Sequence, residues 1–273
     1  MIVSESEPSR TGGWEREAAV ALACARAAGD YLRAQFGRPA EKKYLGDHDV
    51  KLRADVEAQR RIVGALAGEF PGHGIIAEEG PAAEWPGAES VWVVDPLDGT
   101  NNFGYGIAHC AVAITLFHRG RPVLALVVDP LLGREFVATE TAPRAAAAAR
   151  PPVPLRRATV SLVTNYSTAG RVWGERMHGT LGGRCKRLLS LWAPALDLAL
   201  ISAGQLDGMI CHEGGLLDVG GGMLLVGAAG GHVLDLSGAP LTAHRSLHGG
   251  PVSFVAAGSA ELARELLEAA SPG

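Results

Sequence analysis

The amino-acid sequence predicts a layered α/β protein with two lobes. Three observations carry this reading: apolar residues recur at helical spacing in several long segments, short continuous apolar runs lie between turn residues, and the two patterns interleave along the chain. Residues 1–13 show neither pattern and are rich in Ser, Glu, Pro and Gly, which predicts a disordered lead.

From Trp14 onward, Trp14, Ala18, Leu22, Ala25, Leu32 and Phe36 predict a long amphipathic helix ending near Gly37 and Pro39. A second helix is expected from about Asp55 to Glu69, with Val56, Val63, Leu66 and Phe70 on its buried side. After Pro71-Gly72, strands are expected at Gly74–Ala77, Val91–Val94, Cys110–Phe117 and Pro122–Val128. Val91–Val94 is continuously apolar, as in a strand covered on both faces, so the polar groups that follow sit at a strand's end. The alanine-rich, proline-flanked stretch Pro143–Pro154 reads as a boundary between an N-terminal lobe, 14–150, and a C-terminal lobe, 151–273. Downstream come a strand at Thr159–Thr164, a helix at Trp192–Ala203, a strand at Gly208–Cys211, a helix from Asp218 and a last helix from Ser259 through Leu267. No internal repeat is visible.

Bulk properties narrow the partners. A chain of 273 residues, 47% apolar, is long enough for one or two substantial cores. The net charge of −4 is spread without a basic block, which argues against nucleic acid and anionic membranes and in favour of a small-molecule partner. No apolar run approaches the ~18 residues of a membrane span, and the first residues lack a secretory pattern. A cytoplasmic protein is the expectation. Cys24, Cys110, Cys185 and Cys211 form no CxxC and read as packing residues.

Three acidic segments call for explanation. In WVVDPLDGTNNF, Asp95 ends the apolar run, Pro96 predicts a turn and Asp98 follows three residues after the first carboxylate. Gly99 and Thr100 then stand at the start of a helical turn, whose free N–H groups attract an anion. Carboxylates beside such donors suit a metal-bound phosphate, and oxygen-only ligands favour Mg²⁺ over zinc. The bland alternative is a polar turn with an Asp cap. Glu78-Glu79, directly after an apolar strand, also reads as a solvated pair, and Asp218, before Gly220-Gly221-Gly222, as a helix cap. Asp47 and Asp49 read as solvated, Lys42 and Lys43 as a solvated pair, and His109 as a hydrogen-bonded core histidine.

Taken in order, Asp55, Glu78-Glu79, Asp95-Pro96-Leu97-Asp98-Gly99-Thr100 and Asp218 resemble the motifs of the inositol monophosphatase family. The likeness is strongest in DPLDGTNNF and spans roughly residues 14 to 270. The resemblance implies an α-β-α-β-α sandwich, a homodimer, and Mg²⁺-dependent, lithium-sensitive hydrolysis of a phosphomonoester. It further implies that Glu78, Asp95, Asp98, the Leu97 carbonyl and Asp218 hold metal, with all but the last on the N-terminal lobe. Asp55, Glu79 and Thr100 would orient metal-associated waters, and the N–H groups of Gly99 and Thr100 would hold phosphate oxygens.

The departures from the family pattern cluster on the substrate side. Trp192-Ala193-Pro194-Ala195 stands where the family has Gly-Ser/Thr-Ala-Ala; proline lacks an N–H and indole adds bulk. Cys211 stands where inositol-phosphate hydrolases place a substrate-binding glutamate, and a thiol cannot accept from two hydroxyls as a carboxylate does. Glu213, two residues on, is the candidate replacement. Leu217 replaces the usual Trp and Leu52 the expected Thr. The expected substrate is therefore an inositol, cyclitol, polyol or sugar monophosphate, with histidinol phosphate or a nucleotide 3′-phosphate as alternatives. A catalytically silent protein that binds metal and phosphoester is the rival from another class.

Overall fold

The computed structural model describes residues 13–38, 42–44, 50–78, 87–141, 152–244 and 250–271. The expected lead, apart from Gly13, and the expected lobe boundary, apart from residues 152–154, lie outside these residues, as do Asp47, Asp49 and Glu79.

Two helices form the first layer. Helix α1 (Glu15–Gln35) buries Ala21, Cys24, Ala25, Ala28 and Leu32, a stripe at spacings of three and four. The hairpin β1 (Lys42–Tyr44) and β2 (Val50–Leu52) leads into α2 (Arg53–Glu69), which buries Asp55, Ala58, Ile62 and Leu66. Val56, expected on the buried side, is 46% exposed. Its place on that stripe is taken by Asp55, whose Oδ2 accepts from Leu52 N at 2.7 Å and so caps the first turn.

Beneath these helices lies a five-stranded sheet, ordered β3 (Gly74–Ala77), β4 (Ser90–Asp98), β5 (Ala111–His118), β6 (Arg121–Asp129) and β7 (Arg134–Thr139). β3 and β4 are parallel and the other pairs antiparallel. Strand β4 is buried along its whole length. Trp92 and Val94 face the core under α1 and α2, while Val91 and Val93 face the middle of the molecule. That two-sided burial explains its unbroken apolar run.

The second sheet is ordered β11 (His232–Asp235), β12 (Val252–Ala257), β10 (Gly208–Gly214), β8 (Thr159–Thr164) and β9 (Arg187–Leu189). β8 is parallel to both β9 and β10, and β12 is antiparallel to β10 and β11. Helices α5 (Pro194–Ser202) and α6 (Leu216–Ala228) pack between the sheets, and α4 (Thr168–Leu181) and α7 (Ala260–Ala270) cover the outer face of the second. The short α3 (Thr100–Tyr105) follows β4. The result is the five-layered α-β-α-β-α sandwich. Among the described residues, no helix is long and apolar enough to cross a membrane.

One local expectation is corrected. Pro96 does not end β4 in a turn; the strand continues to Asp98 through a bulge, with Asp95 opposite Ala113 and Asp98 opposite Ala111. Three steps on β4 match two on β5, so the proline sits where the ladder lacks a bond to lose.

Candidate active site

The bulge determines where two carboxylates point. In a regular strand, residues three apart project from opposite faces. One extra residue between them cancels that alternation, and Asp95 and Asp98, 2% and 4% exposed, both line one cleft. Asp95 Oδ1 accepts from Leu97 N at 3.0 Å, and Asp98 Oδ2 from Leu196 N at 2.9 Å in the first turn of α5. Gly99 then turns the chain into α3 with φ +83°, and a Cβ there would lie 2.7 Å from the carbonyl oxygen of His109. Asn102 Nδ2 fixes the same corner by donating to His109 O at 2.9 Å and to Leu191 O. Thr100 Oγ1 donates to Leu97 O at 2.9 Å, a carbonyl that keeps a second lone pair.

The cleft has a volume of about 220 Å³. Glu78, Asp95, Asp98, Glu213 and Asp218 line it, and among the described residues no Lys, Arg or His does. Burial holds the Asp95 carboxyl well above the usual range, and repulsion from Glu78, Asp98 and Asp218 adds to the shift. Burial also raises Asp98 strongly, partly offset by the Leu196 N–H, and lifts Asp218 to about 6. Such a set of acids favours a bound cation, and its all-oxygen donors fit Mg²⁺. Among the described residues, however, no group of three or more His, Cys, Asp and Glu side chains stands ready to hold a metal ion. The acids share the cleft without closing into a cage: Glu78 lies within hydrogen-bonding reach of Asp95, while Asp95, Asp98 and Asp218 each turn an oxygen to a backbone N–H.

The opposite wall comes from the second sheet. The parallel strands β8 and β10 end together, which carries Asn165 and Tyr166 beyond one and Glu213 on the other to the cleft. Glu213 sits at a bulge of β10 with φ +55°; its N–H donates to Ser253 Oγ at 3.0 Å and its Oε2 accepts from Asn165 Nδ2. Trp192, with φ +51°, and Pro194 complete this side.

Two expected substrate contacts do not reach the cleft. Cys211 is 0% exposed within β10, where burial pushes its thiol up to about 12, and Ala193 is likewise 0% exposed, held under Gly99. Asp55 is buried in the first turn of α2 and does not line the cleft. His109 is the expected core histidine, its Nε2 2.9 Å from Asp197 Oδ1. Tyr166, Asn165 and Asn101 line the cleft although no acidic motif marks them. The signal that locates the first two is the end of strand Thr159–Thr164, the same kind of position that Asp95 occupies in sequence.

The profile of the Inositol monophosphatase family matches residues 14–271. Among curated proteins, the chain is 32% identical to the Nus factor SuhB of Pseudomonas aeruginosa, over 93% of this chain and 95% of that one. It is 33% identical to the inositol-1-monophosphatase of Mesorhizobium japonicum, over 80% and 85%. Among solved structures, the extragenic suppressor protein suhB of Bartonella henselae superposes with a TM-score of 0.80 at 24% identity, covering 93% of this chain and 98% of that one. The Thermotoga maritima IMPase superposes at 0.79 and 24%, covering 93% and 96%. At that identity the two superpositions speak for the fold.

Proposed function

Because the chain belongs to the inositol monophosphatase family, we propose that its acidic cleft hydrolyses a small phosphomonoester with Mg²⁺ as cofactor. The observation that carries this reading is a cleft lined by five carboxylates and, among the described residues, by no cationic side chain. A dianionic phosphate enters such a cleft only with metal cations as its counter-charge.

In this reading Glu78, Asp95, Asp98, Asp218 and the Leu97 carbonyl hold the cations. Mg²⁺ bound there would supply charge neutralisation for the phosphate and acidify a bound water. The chain's own residues do the rest. Thr100 and Glu79 orient the attacking water, and the N–H groups of Gly99 and Thr100 hold the phosphate oxygens as charge develops; Asp55, which does not line the cleft, is left to its cap on the first turn of α2. Glu213, Trp192 and Pro194 face the alcohol. A relative named inositol-1-monophosphatase favours an inositol, cyclitol, polyol or sugar monophosphate, with histidinol phosphate and nucleotide 3′-phosphates as alternatives in the same chemistry. A cytoplasmic homodimer of two-lobed subunits completes the proposal.

The test is phosphate release by purified protein in Mg²⁺ across a panel of these esters. Release is expected to fall about 100- to 1,000-fold in Asp95→Asn, the scale of losing a principal electrostatic group. No release from any ester, with no effect of Asp95→Asn, would overturn the enzyme reading. Relatives named Nus factors support a second reading, a protein that binds its ligand without turnover. Calorimetry showing Mg²⁺-dependent binding of an ester that is never hydrolysed would favour it.

A further inference from the structure

Among the described residues, three other than glycine have a left-handed backbone: Arg119, Trp192 and Glu213. Arg119 lies in the tight connection between β5 and β6, where such a conformation is ordinary. Glu213 lies at the bulge of β10, whereas Trp192 has neither hairpin nor bulge to explain it, and both line the alcohol side of the cleft. Backbone strain of this kind persists where the surroundings enforce it and gathers at ligand sites.

The strained tryptophan has an aromatic partner. Its ring centroid lies 3.9 Å from that of Tyr166, with the planes tilted by 44°. Tyr166 is 39% exposed and accepts from Asn101 Nδ2 at 3.1 Å, which ties it to the helix following the acidic loop. Neither ring belongs to any of the four buried apolar clusters of the fold. The pair is thus an aromatic wall on the cleft. Beside it stands the Glu213 carboxylate, oriented by Asn165.

Resting on the phosphatase reading above, we propose that Trp192 and Tyr166 are specificity-determining residues that select a monophosphate whose alcohol carries a flat ring. The ring stacks on the aromatic wall, while Glu213 accepts from an N–H or O–H donor on it. A saturated cyclitol offers no flat π face to that wall. A second phosphate on the alcohol is disfavoured, because the described lining has five carboxylates and no Lys, Arg or His to receive it.

The experiment compares adenosine 3′-monophosphate with the methyl riboside 3-phosphate that lacks the base, and with inositol 1-phosphate, all in Mg²⁺. The kcat/KM for the base-bearing ester is expected to exceed that for the base-less one by about tenfold or more, the scale of one base stacked on an aromatic side chain. In Trp192→Gly and in Tyr166→Leu that ratio is expected to fall by about tenfold. Glycine relieves the left-handed backbone at position 192 and offsets part of the ring packing lost, and a melting curve for each variant separates recognition from folding. A ratio near one in the wild type, or an unchanged ratio in Trp192→Gly, overturns the aromatic wall while leaving the phosphatase reading intact. If no ester is hydrolysed, that reading fails separately, and the same ratio taken from calorimetric Kd values in Mg²⁺ decides the specificity proposal.

Discussion

Asp218 carries a cost that depends on protons. Burial raises its carboxyl to about 6, whereas an unfolded chain holds it near 3.9. Between those values the folded chain binds the extra proton, so the favourable contribution is complete below about pH 4 and is lost as the pH rises through 6. In chelator at pH 7.5, Asp218→Asn is expected to melt above wild type, and most of the gap should close by pH 4.5. Thermal melts across that range check it, and equal curves at pH 7.5 would show that the carboxylate is not disfavoured. Mg²⁺ should narrow the gap at pH 7.5 by binding the wild-type carboxylate. Asp95 and Asp98, raised for the same reasons, add to this acid-favoured trend.

At the scale of elements, α6 owes its position to glycines. A Cβ on Gly221 would lie 2.3 Å from Thr115 Oγ1 of β5, and one on Gly222 would lie 2.5 Å from Leu198 Cβ of α5. Alanine at either site gains about 1 kcal/mol of helix propensity, but overpacking costs about 1–3 kcal/mol when nothing can move aside. At Gly222 the clash involves a Cβ, the least mobile atom of a side chain. Packing therefore wins, and Gly222→Ala is expected to lose about 1 kcal/mol or more in chemical denaturation. Gly227 lies in the same helix with nothing within 4 Å of its would-be Cβ, so Gly227→Ala should be neutral or stabilising. If both variants behave alike, close approach is not the reason for these glycines.

At the scale of the whole molecule, one buried carboxylate ties separate layers together. Asp197 on α5 accepts from Ser161 Oγ of β8 at 2.5 Å, and its other oxygen lies 2.9 Å from His109 Nε2 in the segment after α3. The same helix gives its Leu196 N–H to Asp98. Helix α5 thus aligns the acidic wall from the first sheet with the Glu213 wall from the second. Asp197→Ala leaves a buried hydroxyl and an imidazole without their acceptor, at an expected loss of about 3 kcal/mol. Urea titration checks the stability. Phosphate release by the folded variant, compared with wild type at equal folded fraction, reads how far alignment contributes to activity.

Much of this molecule was legible from residue order alone. β3 and β8 match their expected bounds, and α1, α2 and α7 follow from periodicity that packing had no reason to override. Short, half-exposed or small-residue elements were missed: β7, β9, α4 and β11 carry weak patterns because each buries little or uses Gly for contact, whereas β12, also missed, is a buried apolar run with Val252, Phe254 and Val255 in the core. On the site, the order of Glu78, Asp95, Asp98 and Asp218 and the family they imply were available from sequence, since each segment alone reads equally as a turn, a solvated pair or a cap, while all of them in that order match one family's motifs. Which groups share the cleft was decided by tertiary structure. A bulge at Pro96 turns Asp98 to the side of Asp95, buried packing withdraws Cys211 and Ala193, and two parallel strand ends deliver Tyr166 and Glu213 from the other sheet. Local sequence carries the side-chain chemistry and the period of each element, but convergence of residues 78 to 218 on one cleft depends on how two sheets face each other across α5 and α6.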